Sequence, residues 1–244
     1  MAADTDLVSP GARSRFAAGR VRYPSPFDDP SGMLDALERA VRRRRIDLLV
    51  PVTDDVIAPL VAERARFEAI CRVVLPEPEA LELAADKAAT LDLARRMSVP
   101  VPETIVAGDE ATLAEAGRRL GWPVVLKPAR SRVLSPGLRV ERRPVVYAPD
   151  GEALALLAPQ LTGRGEILVQ RWVPGSGIGV EALVDHGRPV KLFQHRRLHE
   201  VPITGGASSL RVSEQLDPTL ARHATRLLEA MRWHGLAMVE FRVG

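Results

Sequence analysis

The stretch Gly121-Trp122-Pro123-Val124-Val125-Leu126-Lys127-Pro128 decides how this chain is read. Its apolar centre, bounded by two prolines, reads as a buried strand over Pro123–Pro128. A lysine at the tip of such a strand is costly unless its ammonium meets an anion or solvent. Pro128 stops the strand and opens a loop, a geometry suited to holding a phosphate. The plainer alternative is an edge lysine that snorkels to water. Upstream, Gly121 supplies the C-cap of a helix over Asp109–Leu120. Before that helix comes a strand over Thr104–Ala107. The two prolines around Val101 force an extended chain ahead of it.

Downstream, Leu138–Tyr147 reads as a strand and Gly151–Leu161 as a helix. Glu166–Val173, Gly177–Val184 and Pro189–His195 read as three further strands, with Asp185-His186-Gly187-Arg188 turning the last two into a hairpin. The first of these strands turns abruptly polar and aromatic at Gln170-Arg171-Trp172-Val173 and breaks at Pro174-Gly175. It is either a hinge whose backbone could pair with a planar base or a strand end with an amphipathic tryptophan. A polar loop over Glu200–Ser213, an amphipathic helix over Asp217–Trp233 and a strand over Gly235–Val243 complete the chain.

In the other direction, residues 1–30 show no clean period. Ser31 is placed to cap a helix over Met33–Arg45 that ends on Arg42–Arg45, where cations suit the helix dipole. Ile46–Val52 reads as a buried strand, Asp54–Glu68 as a helix and Arg72–Leu75 as a short strand, together a βαβ unit. An open α/β domain begins with a strand, and none is evident here, so the amino-terminal domain reads as lacking its first strand and helix. Short helices over Pro76–Leu83 and Asp86–Met97 connect it to the segment around Lys127.

The chain has 244 residues, 46% hydrophobic and 27% charged, and a formal net charge of +3. That balance argues against disorder and against a charge-driven nucleic-acid binder, as do aromatics at only 4%. No apolar run reaches the roughly 18–20 residues of a membrane span, and no apolar segment marks a signal peptide. Cys71, the single cysteine, has no partner for a disulfide, and no Cys/His set has zinc spacing. A soluble cytoplasmic protein is expected. Of the 34 basic residues only Lys87, Lys127 and Lys191 are lysine. A lysine kept where arginine is the habit is a candidate for a role that needs a compact charge.

Known nucleotide and hydrolase motifs are absent. There is no P-loop signature and no G-x-S-x-G elbow. Gly175-Ser176-Gly177-Ile178-Gly179 lacks the third glycine of a dinucleotide fingerprint, because position 180 is Val180, and a strand follows it.

Taken in order, several segments resemble the ATP-grasp superfamily, in its carbamoyl-phosphate-synthetase-like branch of predicted carboligases. They are Asp86–Thr90 with Val99–Thr104, Gly121–Ser131, Gln170–Gly175, Gly179–Glu181, Arg196–Pro202 with Gly205-Gly206, and Met238–Phe241. The resemblance spans residues 30–244. It implies an α/β (α+β) ATP-grasp fold, with a partial Rossmann-like domain over 1–84 and the ATP-grasp domain over 85–244. The latter divides into subdomains of about 100–165 and about 166–244.

By the same resemblance, Lys87 and Lys127 contact ATP phosphates. Gln170, Trp172 and Val173 line the adenine hinge, with the backbone of 172–173 reading the base edge. Glu181 sits near the ribose or in the second polar shell, and Glu240 falls at the first position that binds Mg²⁺ or Mn²⁺. Arg196 and Arg197 approach the γ-phosphate or an acyl-phosphate, and Gly205 and Gly206 open a substrate loop. The implied reaction is ATP-dependent ligation of a small carboxylate to an amine or similar nucleophile. Its catalytic demand is screening of two anions by cations and a metal.

The sequence departs from the family in three places. The chain stops at Gly244, before a second metal-binding segment, and a lone carboxylate holds a hard divalent ion poorly. The loop Ala129–Gly137 carries one glycine rather than a glycine-rich flap. The first βα piece is not evident. A nucleotide-binding module or inactive fragment is therefore the alternative expectation. Outside these motifs, His186 and His223 are expected at the surface, His234 as a helix-end cation and Glu200 as a partner of Arg197.

Overall fold

A computed structural model describes residues 1–130, 132–135, 139–142, 145–163, 165–201 and 207–244. The chain forms two compact units. One comprises residues 1–75 with 132–142, the other 76–131 with 143–244.

The first unit opens with β1 (Ala2–Asp4), α1 (Pro10–Arg13) and β2 (Arg20–Arg22). The two strands pair in parallel, Ala2 opposite Arg20. A strand–helix–strand thus occupies the stretch expected to hold none. Its strands are three residues each, too short to leave a period in the sequence. In α2 (Pro30–Arg44), Asp29 is the cap rather than Ser31, its carboxylate accepting the Gly32 N–H at 2.8 Å. Pro30 has fixed φ and lacks the donor, so it takes the first helical position and moves the start back. β3 (Leu48–Leu49) is only two residues. The expected single helix is divided into α3 (Asp54–Ala62) and α4 (Arg64–Glu68), and β4 (Arg72–Val73) pairs in parallel with β3. Met33, Leu34 and Leu37 of α2 pack with Leu60, Phe67 and Leu75 to form the core.

The second unit begins with α5 (Pro78–Ala85), α6 (Lys87–Arg96), β5 (Thr104–Ala107), α7 (Glu110–Leu120) and β6 (Val124–Pro128). A hairpin of β7 (Arg132–Ser135) and β8 (Arg139–Arg142), grouped with the first unit, follows in the chain. The second unit resumes with β9 (Val146–Ala148), α8 (Gly151–Leu161), β10 (Ile167–Arg171), β11 (Ser176–Asp185) and β12 (Arg188–Val201). β13 (Ala207–Glu214), α9 (Pro218–Ala230) and β14 (Gly235–Val243) complete it. β13 corrects the expectation of a loop over Glu200–Ser213. Its polar residues suit a strand at the edge of a sheet, where one side faces water.

Two antiparallel four-stranded sheets result, ordered β5-β10-β6-β9 and β13-β12-β11-β14. Alternation along each strand gives each sheet a covered face and an open one. Under the first sheet, Val124, Leu126, Ile167 and Val169 pack on Leu113, Ala116 and Leu154 of α7 and α8. Under the second, Ala182 and Val184 pack on Leu228 of α9, while α6 and α9 meet through Leu93, Ala94, Leu227 and Met231. The opposite faces carry polar residues together with apolar ones, Val125 and Leu168 in the first sheet, both buried, and Phe193 and Met238 in the second, both exposed. Among the described residues no helix is long and apolar enough to cross a membrane.

Candidate functional site

On the open face of the first sheet the pleat puts Lys127 opposite Leu168, and Gln170 opposite both Val125 and Thr104. A row of polar groups crosses the three strands. Lys127 Nζ donates to Gln170 Oε1 at 2.7 Å, Gln170 Nε2 donates to Thr104 Oγ1 at 2.9 Å, and that hydroxyl donates to the Pro102 carbonyl at 2.9 Å. Gln170 is 5% exposed, so its amide is fixed by this chain of bonds. Among the described residues no carboxylate pairs with Lys127. Burial lowers the pKa of its ammonium, and the guanidinium of Arg242 lowers it further. Tyr147 lies opposite Val125 on the same face, its phenol pushed up by burial.

Lys87 comes to the same end of β6 from α6. Asp86 caps that helix, accepting the Ala89 N–H at 3.0 Å. The Lys87 backbone N–H donates to the Ala129 carbonyl at 3.0 Å, and its Nζ to the Pro128 carbonyl at 3.1 Å. The segment after β10 runs alongside, because the Trp172 N–H donates to the Pro123 carbonyl at 3.3 Å. The Val173 carbonyl accepts from Arg242 Nε at 3.3 Å. The lysine at the strand tip and the expected hinge are therefore neighbours, joined through Gln170.

The second sheet supplies a denser set of charges. Gly179 lies opposite His195 on one side and Glu240 on the other, and Gly177 lies opposite Arg242. These glycines make room above the sheet. A Cβ at 177 would meet Glu200 Oε1 at 2.6 Å, and one at 179 would meet His195 Nε2 at 2.8 Å. Arg197 pairs closely with Glu240 and lies 3.6 Å from Glu200, whose other oxygen accepts from Arg242 at 2.8 Å. Register shifts around His199 bring Glu200 onto the face of Arg197, three residues away, which strict alternation forbids. His195 is buried, with Nδ1 3.2 Å from Glu181. Burial lowers its pKa, and Arg211 adds to the effect. Glu181 lies 3.9 Å from Arg211.

Eight of the nine candidate residues named from the sequence thus lie on or beside these open faces: Lys87, Lys127, Gln170, Trp172, Val173, Glu181, Arg197 and Glu240. Arg196 does not join them. As the neighbour of Arg197 on a strand it points to the other face, where it pairs with Glu214. Gly205 and Gly206 lie outside the described residues. Arg242 was missed in the sequence, although it stands two residues after Glu240 and the strand period puts both on one face. Glu200 is a partner of Arg197, as expected, and also of Arg242. Lysine and arginine groups around a few paired carboxylates can receive a polyanion, with the carboxylates exchanging a guanidinium for a metal ion as it arrives.

No protein-family model matches the chain. It is 30% identical over 197 residues to the carbamoyl phosphate synthase large chain of Rubrobacter xylanophilus, a match covering 76% of this chain and 18% of that one. Among solved structures it is similar to biotin carboxylase from Campylobacter jejuni in complex with β-γ-ATP. There the TM-score is 0.68 at 17% identity, over 86% of this chain and 48% of that one. It is also similar to a RimK domain ATP-grasp protein from Sphaerobacter thermophilus. That match has a TM-score of 0.52 at 25% identity, over 74% of this chain and 64% of that one. The chain therefore spans a fifth or less of the carbamoyl phosphate synthase chain and about half of the biotin carboxylase. With two antiparallel sheets, the ordered segments that carry their charges and these likenesses in hand, the chain has the ATP-grasp fold.

Proposed function

We propose that this chain binds ATP between the open faces of its two sheets and serves an ATP-dependent ligase that activates a small carboxylate as an acyl-phosphate. The observation that carries the reading is Lys127. It is a largely buried ammonium whose hydrogen-bond partner is a neutral amide, with a second cation, Arg242, nearby. A buried charge so placed is stabilised by an anion brought to it. Lys87 at the same strand end and Arg197 on the facing sheet extend the cationic surface along a triphosphate. The backbone of Trp172 and Val173, beside Gln170, is where the base would lie, and Glu181 would be the ribose contact. The likeness to the carbamoyl phosphate synthase chain supports the branch proposed for it.

The donor set also fits a magnesium or manganese ion. Magnesium is commonly held by one or two carboxylates together with substrate phosphates. Glu240 and Glu200 both contact Arg197, so the two carboxylates are within reach of one ion. Such an ion would neutralise phosphate charge. In the reaction, a carboxylate oxygen bonds to the γ-phosphorus as the bond to the β–γ bridging oxygen breaks and ADP leaves. An amine or similar nucleophile then bonds to the acyl carbon, phosphate departs and the nucleophile loses a proton. Arg197 and Arg242 would screen the approach of the first two anions. The setting is proposed to be the cytoplasm, with small molecules rather than nucleic acid as partners.

Calorimetry on Lys127→Ala tests the binding claim. Loss of a charge-assisted contact is expected to weaken ATP about tenfold or more, while Lys191→Ala, on an exposed stretch of β12, leaves affinity unchanged. Equal ATP affinity in the Lys127 variant and the parent removes Lys127 from the site. One observation favours the second reading, a nucleotide-binding module without turnover: Glu240 is engaged by Arg197. ADP release that depends on an added carboxylate selects the ligase. Binding without release across a broad carboxylate screen selects the module.

A further inference from the structure

At the far end of β11 the sheet holds a second cluster, unrelated to the nucleotide reading. It lies six residues along the strand from Gly179, on the order of 20 Å at the rise of a β-strand. Asp185 ends β11, His186 stands in the turn to β12, and His234 stands in the turn between α9 and β14. These side chains come from positions with no metal-binding spacing in the sequence. The fold alone assembles them.

Their geometry is that of ligands around a point. His186 Nδ1 lies 2.9 Å and His234 Nδ1 3.6 Å from the same oxygen, Asp185 Oδ1. One ligand atom from each residue lies within 4.8 Å of the others. The two rings sit side by side with centroids 4.3 Å apart. Two ligands on a tetrahedral ion with bonds of about 2.0–2.1 Å are separated by roughly 3.4 Å. The observed spacings bracket that value. His234 Nδ1 is buried and has no hydrogen-bond partner, since 3.6 Å to the carboxylate is too long. A ring nitrogen aimed at a carboxylate from that distance is better explained by an ion between them than by a hydrogen bond.

The backbone holds the cluster in place. The Gly187 N–H donates to the Trp233 carbonyl at 2.7 Å, tying the hairpin turn to the segment that carries His234. Trp233 Nε1 donates to the Leu236 carbonyl at 3.0 Å and braces that segment from the other side. Arg188 reaches only the second oxygen of Asp185, at 3.9 Å, so Oδ1 is left to the histidines.

The geometry points to a divalent transition-metal site of the zinc type formed by Asp185, His186 and His234, clamping the β11–β12 turn to the α9–β14 turn. Two imidazoles and a carboxylate select zinc, nickel or cobalt over magnesium, which takes oxygen ligands alone. All three residues are partly exposed, so the ion exchanges with solvent, and water completes its coordination.

The test uses the full chain stripped with a chelator, titrated calorimetrically with zinc chloride and, separately, with magnesium chloride. One zinc site is expected, weakened by more than about tenfold in His186→Ala and in His234→Ala. His223→Ala, on α9 and outside the cluster, leaves the affinity as it was. Asp185→Asn, which keeps the shape of the side chain, is expected to weaken zinc as the histidine variants do. Cobalt bound to the parent gives the visible bands of a four-coordinate ion, which the double histidine variant lacks. Circular dichroism confirms that each variant is folded. Zinc binding that persists unchanged in the folded double variant overturns the proposal, as does failure of the parent to bind zinc or equal binding of magnesium at this site.

Discussion

His195 lies against Gly179 in the middle of the second sheet, 3% exposed, its Nδ1 turned to Glu181. Its folded pKa is below the ordinary 6.5, chiefly through burial. The unfolded chain therefore binds the proton more readily than the folded one, and stability falls as pH drops from above 6.5 toward the folded value. Denaturant titrations between neutral and mildly acid pH are expected to show this loss in the parent and a flatter profile in His195→Gln. Identical profiles for the two proteins contradict the assignment. At this scale the sequence was partly legible. Lys127 stands out because a charge at the end of an apolar strand needs a reason. Arg196 and Arg197 do not separate as residue types. Only their position on a pleated strand divides them, one toward Glu214 and the other toward Glu240.

Strand by strand, the alternation of side chains decides what the site contains. The helical face of the first sheet is continuous apolar surface, and its other face collects Thr104, Lys127, Tyr147 and Gln170. Long elements with a strong period, such as α7, α8 and β14, were legible because burial and propensity agree in them. β13 was not, since Leu210 and Val212 are outnumbered by polar residues and its pairing with β12 makes it a strand. The extension of β12 through Val201 depends on the same partner. The glycines of β11 belong to this scale too. A methyl group at Gly179 would strike the His195 ring, so Gly179→Ala is expected to destabilise the chain by about 1–3 kcal/mol. Gly108→Ala, with open space around its Cβ, is expected to stay within about 0.5 kcal/mol of the parent. Chemical denaturation of the two variants measures both, and equal stabilities contradict close packing at Gly179.

Across the whole molecule, the residues that would handle a nucleotide come from five separated segments, around Lys87, Lys127, Gln170–Glu181, His195–Glu200 and Glu240–Arg242. All lie in the second unit. Their order along the chain was readable and carried the family resemblance. Their pairing was not, because the Arg197–Glu240 and Glu200–Arg242 contacts join residues some forty positions apart. The metal cluster at Asp185, His186 and His234 was hidden for the same reason. The central claim is that the lysine at the tip of β6 and the backbone after β10 hold one and the same molecule. Titration of ATP followed by NMR, with the Lys127 side chain and the amides of Trp172 and Val173 observed together, tests it most directly. The account predicts that all three signals move along a single binding curve. Saturation that leaves either group unmoved, or two distinct affinities, would contradict it.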